Sequence, residues 1–272
     1  MSLQGKTLFI TGASRGIGRE IALRAARDGA NIVIAAKSAE AHPKLPGTIH
    51  SVAAEVEAAG GKALALQLDV RDEDAVKAAM AKAFEHFGSI DAVINNAGAI
   101  KLMGVEHLPP KRFDLMFQIN TRAVMVCSQA ALPYLKQSRG HILSLSPPVN
   151  LDPKWFANYG PYTTTKYGMS MLTLGMHEEF KKYGISVNSL WPKTVIATAA
   201  IEFEAGGPAV MKAARLPAIM ADAAYAILSS SERTISGRLL IDEELLREHG
   251  VSDFEHYHYD PSGKLMTDLF VD

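Results

Sequence analysis

The sequence predicts an α/β fold, a doubly wound parallel sheet with helices on both faces, and two features of the chain support it. Short, almost uninterrupted apolar runs alternate with helix-like segments from the first residues to about residue 242. Strands that are apolar along their whole length are typical of a parallel sheet covered on both faces. No repeat or Pro/Ser-rich linker divides the sequence, so we expect a single domain.

The predicted strands and helices alternate along the chain. We expect seven strands, at residues 7–10, 31–36, 63–68, 92–94, 141–145, 185–190 and 238–241. We expect helices at residues 15–28, 47–59, 72–87, 110–135, 161–183 and 221–229. Asp72 and the acids after it suit the positive start of the third helix, and Gly184 ends the fifth.

Composition excludes several classes of function. The chain has 272 residues, 48% of them hydrophobic, and a net charge of −1 from 28 basic and 29 acidic residues. This balance predicts no binding to nucleic acid or to an anionic membrane. The single cysteine, Cys127, excludes an internal disulfide and a multi-cysteine zinc site. Without an apolar run of about 18 residues or a signal-peptide pattern, we expect a cytoplasmic protein with no membrane span.

A glycine-rich turn follows the first predicted strand. Its residues are Thr11, Gly12, Ala13, Ser14, Arg15, Gly16, Ile17 and Gly18, and a helix comes next. Glycines allow a pyrophosphate to approach the backbone, and the start of a helix offers free N–H groups and positive potential. The pattern predicts a dinucleotide site of the Rossmann type; the alternative is a tight strand-to-helix turn without a ligand.

The end of the second predicted strand indicates which dinucleotide would bind. A site that prefers NAD places an acid there, whereas this chain has Ala35, Ala36 and Lys37. Lys37 and Arg15 offer cations to a 2′-phosphate, which favours NADP(H). Alternatively, both are solvated surface charges.

Tyr162 and Lys166 lie four residues apart on the helix predicted after the fifth strand, and therefore on one helix face. An ammonium beside a phenol favours the phenolate and lowers its pKa, so Tyr162 is a candidate acid/base for a carbonyl or an alcohol. The alternative is a core tyrosine beside a surface lysine. Tyr159 and Tyr167 lack a lysine four residues later.

Together these motifs resemble the short-chain dehydrogenase/reductase family over essentially the whole chain. The matching residues are the Thr11 to Gly18 turn, Leu68-Asp69-Val70, Asn95-Asn96-Ala97-Gly98, Asn120, Tyr162 and Lys166. The resemblance implies that Asp69 and Val70 contact the adenine, that Asn96, Ala97 and Gly98 line its ribose side, and that Thr198 reaches the cofactor. It also implies that Lys166 binds the nicotinamide ribose and that Asn120 supports a water chain to that lysine. A plain helix-surface asparagine is the alternative for Asn120.

Two positions depart from the family pattern. The family ends its fifth strand with a serine pair whose second member polarises the substrate carbonyl, but direct alignment places Pro147 there. Proline cannot donate a hydrogen bond, so we name Ser146 as the candidate, against a strand-end serine without a catalytic role. Lys193 replaces a glycine that the family has beside the nicotinamide amide, and it adds a cation near that pocket.

These observations predict an NADP(H)-dependent oxidoreductase that acts on a carbonyl or alcohol, with a lipophilic substrate favoured by Trp191, Phe203 and Met211. A cofactor-binding redox sensor or scaffold with little turnover is the alternative, kept open by Pro147 and Lys193. The short length and the glycine spacing argue against an epimerase or dehydratase. We expect a homodimer or homotetramer, and no metal site, since His256 and His258 lack a third ligand nearby.

The expected NADP-binding domain spans residues 1–242. We expect residues 243–272 to form a C-terminal extension packed on the same domain or on a neighbouring subunit. Loops 146–160 and 191–217 follow predicted strands, so they are expected to form substrate walls. In one branch of the resembled family a sterol-carrier domain follows the reductase domain; with this sequence ending at Asp272, we expect no such module.

Overall fold

A computed structural model describes residues 2–43, 45–230 and 235–272. The described residues form one sheet of seven parallel strands in the order β3-β2-β1-β4-β5-β6-β7. The strands are β1 (Thr7–Thr11), β2 (Asn31–Ala36), β3 (Lys62–Gln67), β4 (Ala92–Asn95), β5 (His141–Ser144), β6 (Ser186–Trp191) and β7 (Leu239–Ile241). The chain runs outwards from β1 to β3, then returns to the other side of β1 and continues from β4 to β7. A crevice therefore opens between β1 and β4 at the carboxyl edge of the sheet.

Helices connect the strands. They are α1 (Gly16–Ala26), α2 (Ile49–Ala58), α3 (Glu73–Phe87), α4 (Pro110–Phe117), α5 (Ala123–Ser138), α6 (Lys154–Ala157), α7 (Gly160–Phe180), α8 (Gly207–Lys212), α9 (Ala218–Leu228) and α10 (Asp242–Glu248). No helix in the described ranges is both long and apolar enough to cross a membrane.

The two faces of the sheet have separate cores. Along β1, Leu8 and Ile10 pack with α1, α2 and α9, whereas Phe9 packs on the opposite face with α3, α5 and α7. Successive side chains of a strand point to opposite faces, so an apolar β1 supplies both cores. The predicted single-domain, doubly wound fold is confirmed.

The helix predicted at 110–135 is not continuous. A π-helical turn, Gln118–Arg122, separates α4 from α5, and α5 continues to Ser138. Such turns commonly occur at functional sites, and this one contains Asn120. The sequence prediction also missed α6, α8 and α10, because helices of four to seven residues show no clear hydrophobic period.

The segment after β7 folds back onto the carboxyl edge of the sheet. The Val195 N–H donates to the Met266 carbonyl at 3.0 Å, and the Asp268 N–H donates to the Lys193 carbonyl at 3.0 Å. Phe270 is buried in an aromatic cluster. The last residues of the chain therefore lie beside the segment that follows β6.

Candidate active site

A cavity of about 720 Å³ lies at the carboxyl edge of the sheet. Its wall includes residues just beyond the ends of β1, β2, β4, β5 and β6, such as Gly12, Lys37, Asn96, Leu145 and Pro192. This is the position at which open α/β sheets bind ligands, because strand ends and helix starts leave backbone groups free there.

Most of the residues predicted as site residues line this cavity. They are Gly12, Ser14, Arg15, Gly16, Ile17, Lys37, Asp69, Val70, Asn96, Ala97, Gly98, Tyr162, Lys166 and Thr198. Four predicted site residues are not part of the wall, namely Ala13, Gly18, Asn120 and Ser146.

The glycine turn is shaped by close backbone packing. A Cβ atom on Gly12 would lie 2.8 Å from the Ala97 Cα, and one on Gly18 would lie 2.4 Å from the Asn96 Nδ2. Gly12 and Gly16 also have φ angles of 68° and 58°, which favour glycine. No side chain in the described part of the chain caps the start of α1, so its free N–H groups and positive potential remain available beside the cavity. This donor set fits a pyrophosphate.

Asn96 and Thr11 join the glycine turn to the turn after β4. The Asn96 side-chain amide donates to the carbonyls of Thr11 at 2.8 Å and Gly12 at 3.1 Å. The Thr11 hydroxyl accepts from the N–H groups of Asn96 and Ala97, each at 3.1 Å. The Asn96 amide and the Thr11 hydroxyl therefore fix the turn. Thr11 belongs to the turn recognised from the sequence, but the groups that its hydroxyl binds are visible only in the fold.

Arg15 is bound by neutral oxygens. Its guanidinium donates to the carbonyls of Pro46 at 2.9 Å and Gly47 at 3.1 Å, and to the Ser38 hydroxyl at 3.1 Å. Partial burial lowers the pKa of Arg15. These contacts orient the group without neutralising its charge.

Lys37 and Asp69 form an ion pair at the end of β2. The Lys37 ammonium lies 3.1 Å from one Asp69 oxygen, and Arg71 binds the same carboxylate through Nε at 3.0 Å and through a terminal nitrogen at 2.5 Å. Hydrogen bonds from Arg71, and to a smaller extent the ion pair with Lys37, hold the pKa of Asp69 well below its usual range. Both cations therefore share this carboxylate, and Arg71 was not singled out by the sequence motifs.

Tyr162 and Lys166 are buried on the cavity side of α7. The Lys166 ammonium donates to the Leu145 carbonyl at 2.8 Å and lies 5.1 Å from the ring centre of Trp191. The Tyr162 ring stacks on Phe270, with the ring centres 6.3 Å apart.

The electrostatics of this pair differ from the sequence-based expectation. Burial, together with the nearby Asp268, raises the pKa of Tyr162, whereas a lowered value was expected from Lys166. Burial also lowers the pKa of Lys166 to about 8. In this structure desolvation outweighs the attraction between an ammonium and a phenolate, so the phenol holds its proton firmly.

Asn120 is fully buried in the π-helical turn. Its side-chain oxygen accepts from the Ala99 N–H at 2.8 Å, and its amide donates to the Ala99 carbonyl and to the Thr165 hydroxyl, each at 2.9 Å. It is therefore not the helix-surface residue of the alternative interpretation. It joins the turn after β4 to the helix that carries Tyr162 and Lys166.

The family of the chain follows from comparison with known proteins. A family model described as short chain dehydrogenase matches residues 6–205, which include the glycine turn and the Tyr162–Lys166 pair. The chain belongs to the short-chain dehydrogenase/reductase family. The resemblance predicted from the sequence is confirmed, and members of this family bind a nicotinamide cofactor.

Individual relatives support the same placement. Hydroxysteroid dehydrogenase-like protein 2 from Xenopus tropicalis is 57% identical over 271 residues, covering 99% of this chain and 64% of that protein. This chain thus spans less than two thirds of that relative's length.

Solved structures agree with the fold. A crystal structure from Xanthomonas campestris superposes over the whole of both chains with a TM-score of 0.96 and 54% identity. A 7α-hydroxysteroid dehydrogenase complexed with NADH and 7-oxo glycochenodeoxycholic acid has a TM-score of 0.77 and 27% identity, covering 88% of this chain and 93% of that one.

The strand-five serine of the short-chain dehydrogenase/reductase pattern has no direct counterpart in the cavity wall. Ser146 is fully buried, and its hydroxyl has no hydrogen-bond partner among the described residues. Its N–H donates to the Ser144 carbonyl at 3.0 Å, which turns the chain sharply at the end of β5. Pro147 contributes its carbonyl as an acceptor for the Ser170 hydroxyl at 2.6 Å.

Lys193, the residue that replaces the family's glycine, is not part of the cavity wall. Its ammonium lies 3.1 Å from a Glu243 oxygen, and its N–H donates to Asp242 at 2.9 Å. The buried Arg215 binds the same glutamate at 2.5 Å. Because Glu243 is 50 residues away in sequence, the local pattern does not show this pairing.

Asp268 is an acid in the cavity wall that sequence reasoning missed. It is half-buried and lines the cavity together with Tyr162 and Lys166. Burial raises the pKa of Asp268 to about 7, with a further rise from Asp242. No motif surrounds this residue in the sequence, so only its position in the fold identifies it.

Proposed function

We propose that the protein is an NADP(H)-dependent oxidoreductase that transfers a hydride between the nicotinamide and a carbonyl or alcohol. The main observation in support is that Tyr162 and Lys166 line the same cavity as the glycine turn. One wall offers backbone donors for a pyrophosphate, and another offers a proton donor for an oxygen atom.

Tyr162 serves as the acid/base in this proposal. A bound nicotinamide supplies or accepts the hydride. During reduction Tyr162 gives its proton to the carbonyl oxygen, and during oxidation it takes the proton of the alcohol. The raised pKa of Tyr162 keeps it protonated at neutral pH, which suits proton donation. The Lys166 ammonium, directed by the Leu145 carbonyl, stabilises the phenolate that remains.

NADP(H) is the proposed cofactor. β2 ends in Ala35 and Ala36 and is followed by Lys37, with no acid to accept from ribose hydroxyls. The Arg15 guanidinium is oriented by hydrogen bonds to neutral oxygens. No carboxylate in the described ranges neutralises its charge. A 2′-phosphate would complete its coordination. The alternative of two plain surface charges fits Arg15 poorly, because it is partly buried.

The proposed substrate is lipophilic. Beyond the polar cofactor side, the cavity wall is mostly apolar and aromatic, and these residues include Ile100, Leu102, Trp191, Phe203, Met266 and Leu269. Met211, named with Trp191 and Phe203 from sequence, is not part of this wall. The steroid named with the 27% identical structure is a substrate class of the kind this wall suits.

Self-association is part of the proposal. Phe117 and Met125, on either side of the π-helical turn, and Met171 and Leu174 on α7 remain 41–58% exposed. Large apolar side chains on neighbouring helices favour burial against another surface. We propose a homodimer or homotetramer that covers them.

A screen of NADPH oxidation over aryl, cyclic and steroid ketones tests the proposal, with Tyr162→Phe as the control. Turnover in the wild type and its loss in the variant support it. The second candidate, a cofactor-binding sensor with little turnover, is favoured by the position of the Ser146 hydroxyl outside the cavity wall. NADPH binding without oxidation across the whole panel would establish that candidate instead.

A further inference from the structure

The cavity wall contains an acidic side chain, Asp268, for which no ion pair is found among the described residues. Among the described residues of the wall, the acids are Asp69 and Asp268. Arg71 and Lys37 neutralise Asp69. The hydrogen bond found for the Asp268 carboxylate in the described ranges comes from the Leu269 N–H at 2.7 Å. Asp268 therefore has capacity for a hydrogen bond to a ligand in the cavity.

Contacts on both sides of Asp268 fix its position. Its own N–H donates to the Lys193 carbonyl at 3.0 Å, and the Trp191 indole N–H donates to the Leu269 carbonyl at 2.8 Å. Phe270 has a φ of 71°, which is unfavourable for a non-glycine residue. Its burial among aromatic rings holds this conformation, and such strained positions are concentrated at functional sites.

The groups facing Asp268 come from three elements. Tyr162 and Lys166 face it from α7, and Asp242 acts on it from the start of α10. Lys193, from the segment after β6, directs its ammonium to Glu243. Burial and Asp242 raise the pKa of Asp268 to about 7, while the hydrogen bond from the Leu269 N–H and the charge of Lys166 oppose them. A large fraction of Asp268 is therefore a neutral acid at pH 7, and a neutral carboxyl group can donate a hydrogen bond.

The fold leaves a role for such a donor. Ser146 does not line the cavity, and Pro147 has no group to donate. The described part of the cavity wall thus lacks the hydroxyl that the family pattern places at the end of β5. Asp268 reaches the same cavity from the other end of the chain.

We propose that neutral Asp268 donates a hydrogen bond to the carbonyl oxygen of the substrate and so provides the second donor beside Tyr162. The assignment rests on the proposed function. In reduction the carbonyl carbon receives the hydride, the C=O π electrons move to the oxygen, and that oxygen takes the Tyr162 proton. The Asp268 proton stays on Asp268 and stabilises the negative charge that develops on the oxygen.

Two effects follow for the reaction. Removing one donor of this kind lowers kcat about 10²- to 10³-fold, so Asp268→Ala is expected to lose that much. In the wild type, kcat/KM for reduction falls as the pH rises through about 7, because the carboxylate cannot donate. Asp268→Asn keeps N–H donors at every pH, so it retains more activity than Asp268→Ala and loses this pH dependence.

The test combines kinetics with a titration that needs no turnover. The carboxyl carbon of Asp268 is followed by NMR in protein labelled with ¹³C-aspartate, and its signal is assigned by its absence in Asp268→Asn. Kinetics use the ketone that the wild type reduces fastest. Asp272→Asn is the matched control, because Asp272 is in the same tail but is exposed and binds Lys154 and Asn150.

The expected result is an Asp268 signal that titrates near pH 7, the kinetic pattern above, and Asp272→Asn at wild-type activity. Titration near pH 4, as for an ordinary aspartate, overturns the assignment whatever the kinetics show. A kcat of Asp268→Ala within about threefold of the wild-type kcat overturns the assignment too. If Ser146→Ala loses kcat instead, the donor role returns to Ser146. In both cases an inactive Tyr162→Phe shows that the proposed function still stands. A wild type that reduces no ketone removes the proposed function, and the assignment with it.

Discussion

The cofactor side and the substrate side of the cavity are built in different ways. On the cofactor side, Gly12 and Gly18 pack closely against Ala97 and Asn96, and the Asn96 side-chain amide binds the carbonyls at the end of β1. On the substrate side, Trp191, Asp268 and Phe270 are brought together by a tail that returns from beyond β7. The first side is therefore a product of local turns in the sheet, whereas the second depends on distant parts of the chain.

This difference separates binding from chemistry. The cofactor side offers backbone N–H groups and cations, whose positions do not depend on the tail. The substrate side sets the electrostatics of Tyr162 and Lys166 through burial and through Asp268. Substitutions on each side should consequently affect different measurements.

Tyr162→Phe is expected to have the largest effect. Loss of the acid/base should reduce ketone reduction by about 10²- to 10⁴-fold, since a positioned proton donor contributes that much. NADPH affinity, measured by fluorescence, should stay within about threefold, because the phenol belongs to the substrate side. Tyr159→Phe is the matched control, as Tyr159 is not part of the cavity wall. Equal losses in both variants would contradict the role of Tyr162.

Phe270→Ala tests whether the tail holds the substrate side together. Phe270 is 1% exposed, and its ring centre lies 5.3 Å from that of Tyr167 and 5.8 Å from that of Trp191. Truncation of a buried phenylalanine costs about 3–5 kcal/mol of unfolding free energy. We expect that loss in urea unfolding, and only a small loss from Phe203→Ala, since Phe203 is half exposed. An equally small loss at Phe270 would show that the tail is not part of the core.

Gly18→Ala tests the close packing of the cofactor side against the Asn96 side chain. The added Cβ would lie 2.4 Å from the Asn96 Nδ2, an atom already bonded to the Thr11 and Gly12 carbonyls. Overpacking of this kind costs about 1–3 kcal/mol, and displacement of the turn should weaken NADPH binding as well. Gly175→Ala is the control: nothing lies within 4 Å of its added Cβ, and alanine in a helix is favoured by up to about 1 kcal/mol. If thermal unfolding shows the same change in Tm for Gly18→Ala and Gly175→Ala, the packing explanation is ruled out.

Arg15→Ala is expected to have the most restricted effect, because it changes cofactor choice alone. A hydrogen bond to a charged group contributes about 1.5–3 kcal/mol, so NADPH affinity should fall about 10- to 100-fold. NADH affinity should hardly change, because NADH has no 2′-phosphate. Isothermal titration with both nucleotides measures the difference. A parallel loss for NADH would show that Arg15 supports the turn rather than selecting a phosphate.

The contrast between the two sides also explains what the sequence could predict. Gly12 to Gly18 and the Tyr162–Lys166 pair were recognisable because their chemistry depends on spacings of a few residues. The fold class followed from apolar strands that supply two cores. Asp268 and the pairing of Lys193 with Glu243 were not recognisable, since their partners are separated by tens of residues and no local pattern marks them. The π-helical turn at Asn120 depends on bonds to Ala99 and Thr165, which only the folded chain brings together.

The central claim is that this cavity transfers a hydride to a carbonyl with Tyr162 as the proton donor. Transfer of deuterium from C4 of deuterated NADPH to the alcohol product, followed by mass spectrometry, tests it most directly. We predict an alcohol that carries one deuterium on its carbinol carbon in the wild type and almost none formed by Tyr162→Phe. An alcohol without deuterium, or one formed equally fast by Tyr162→Phe, would contradict the account.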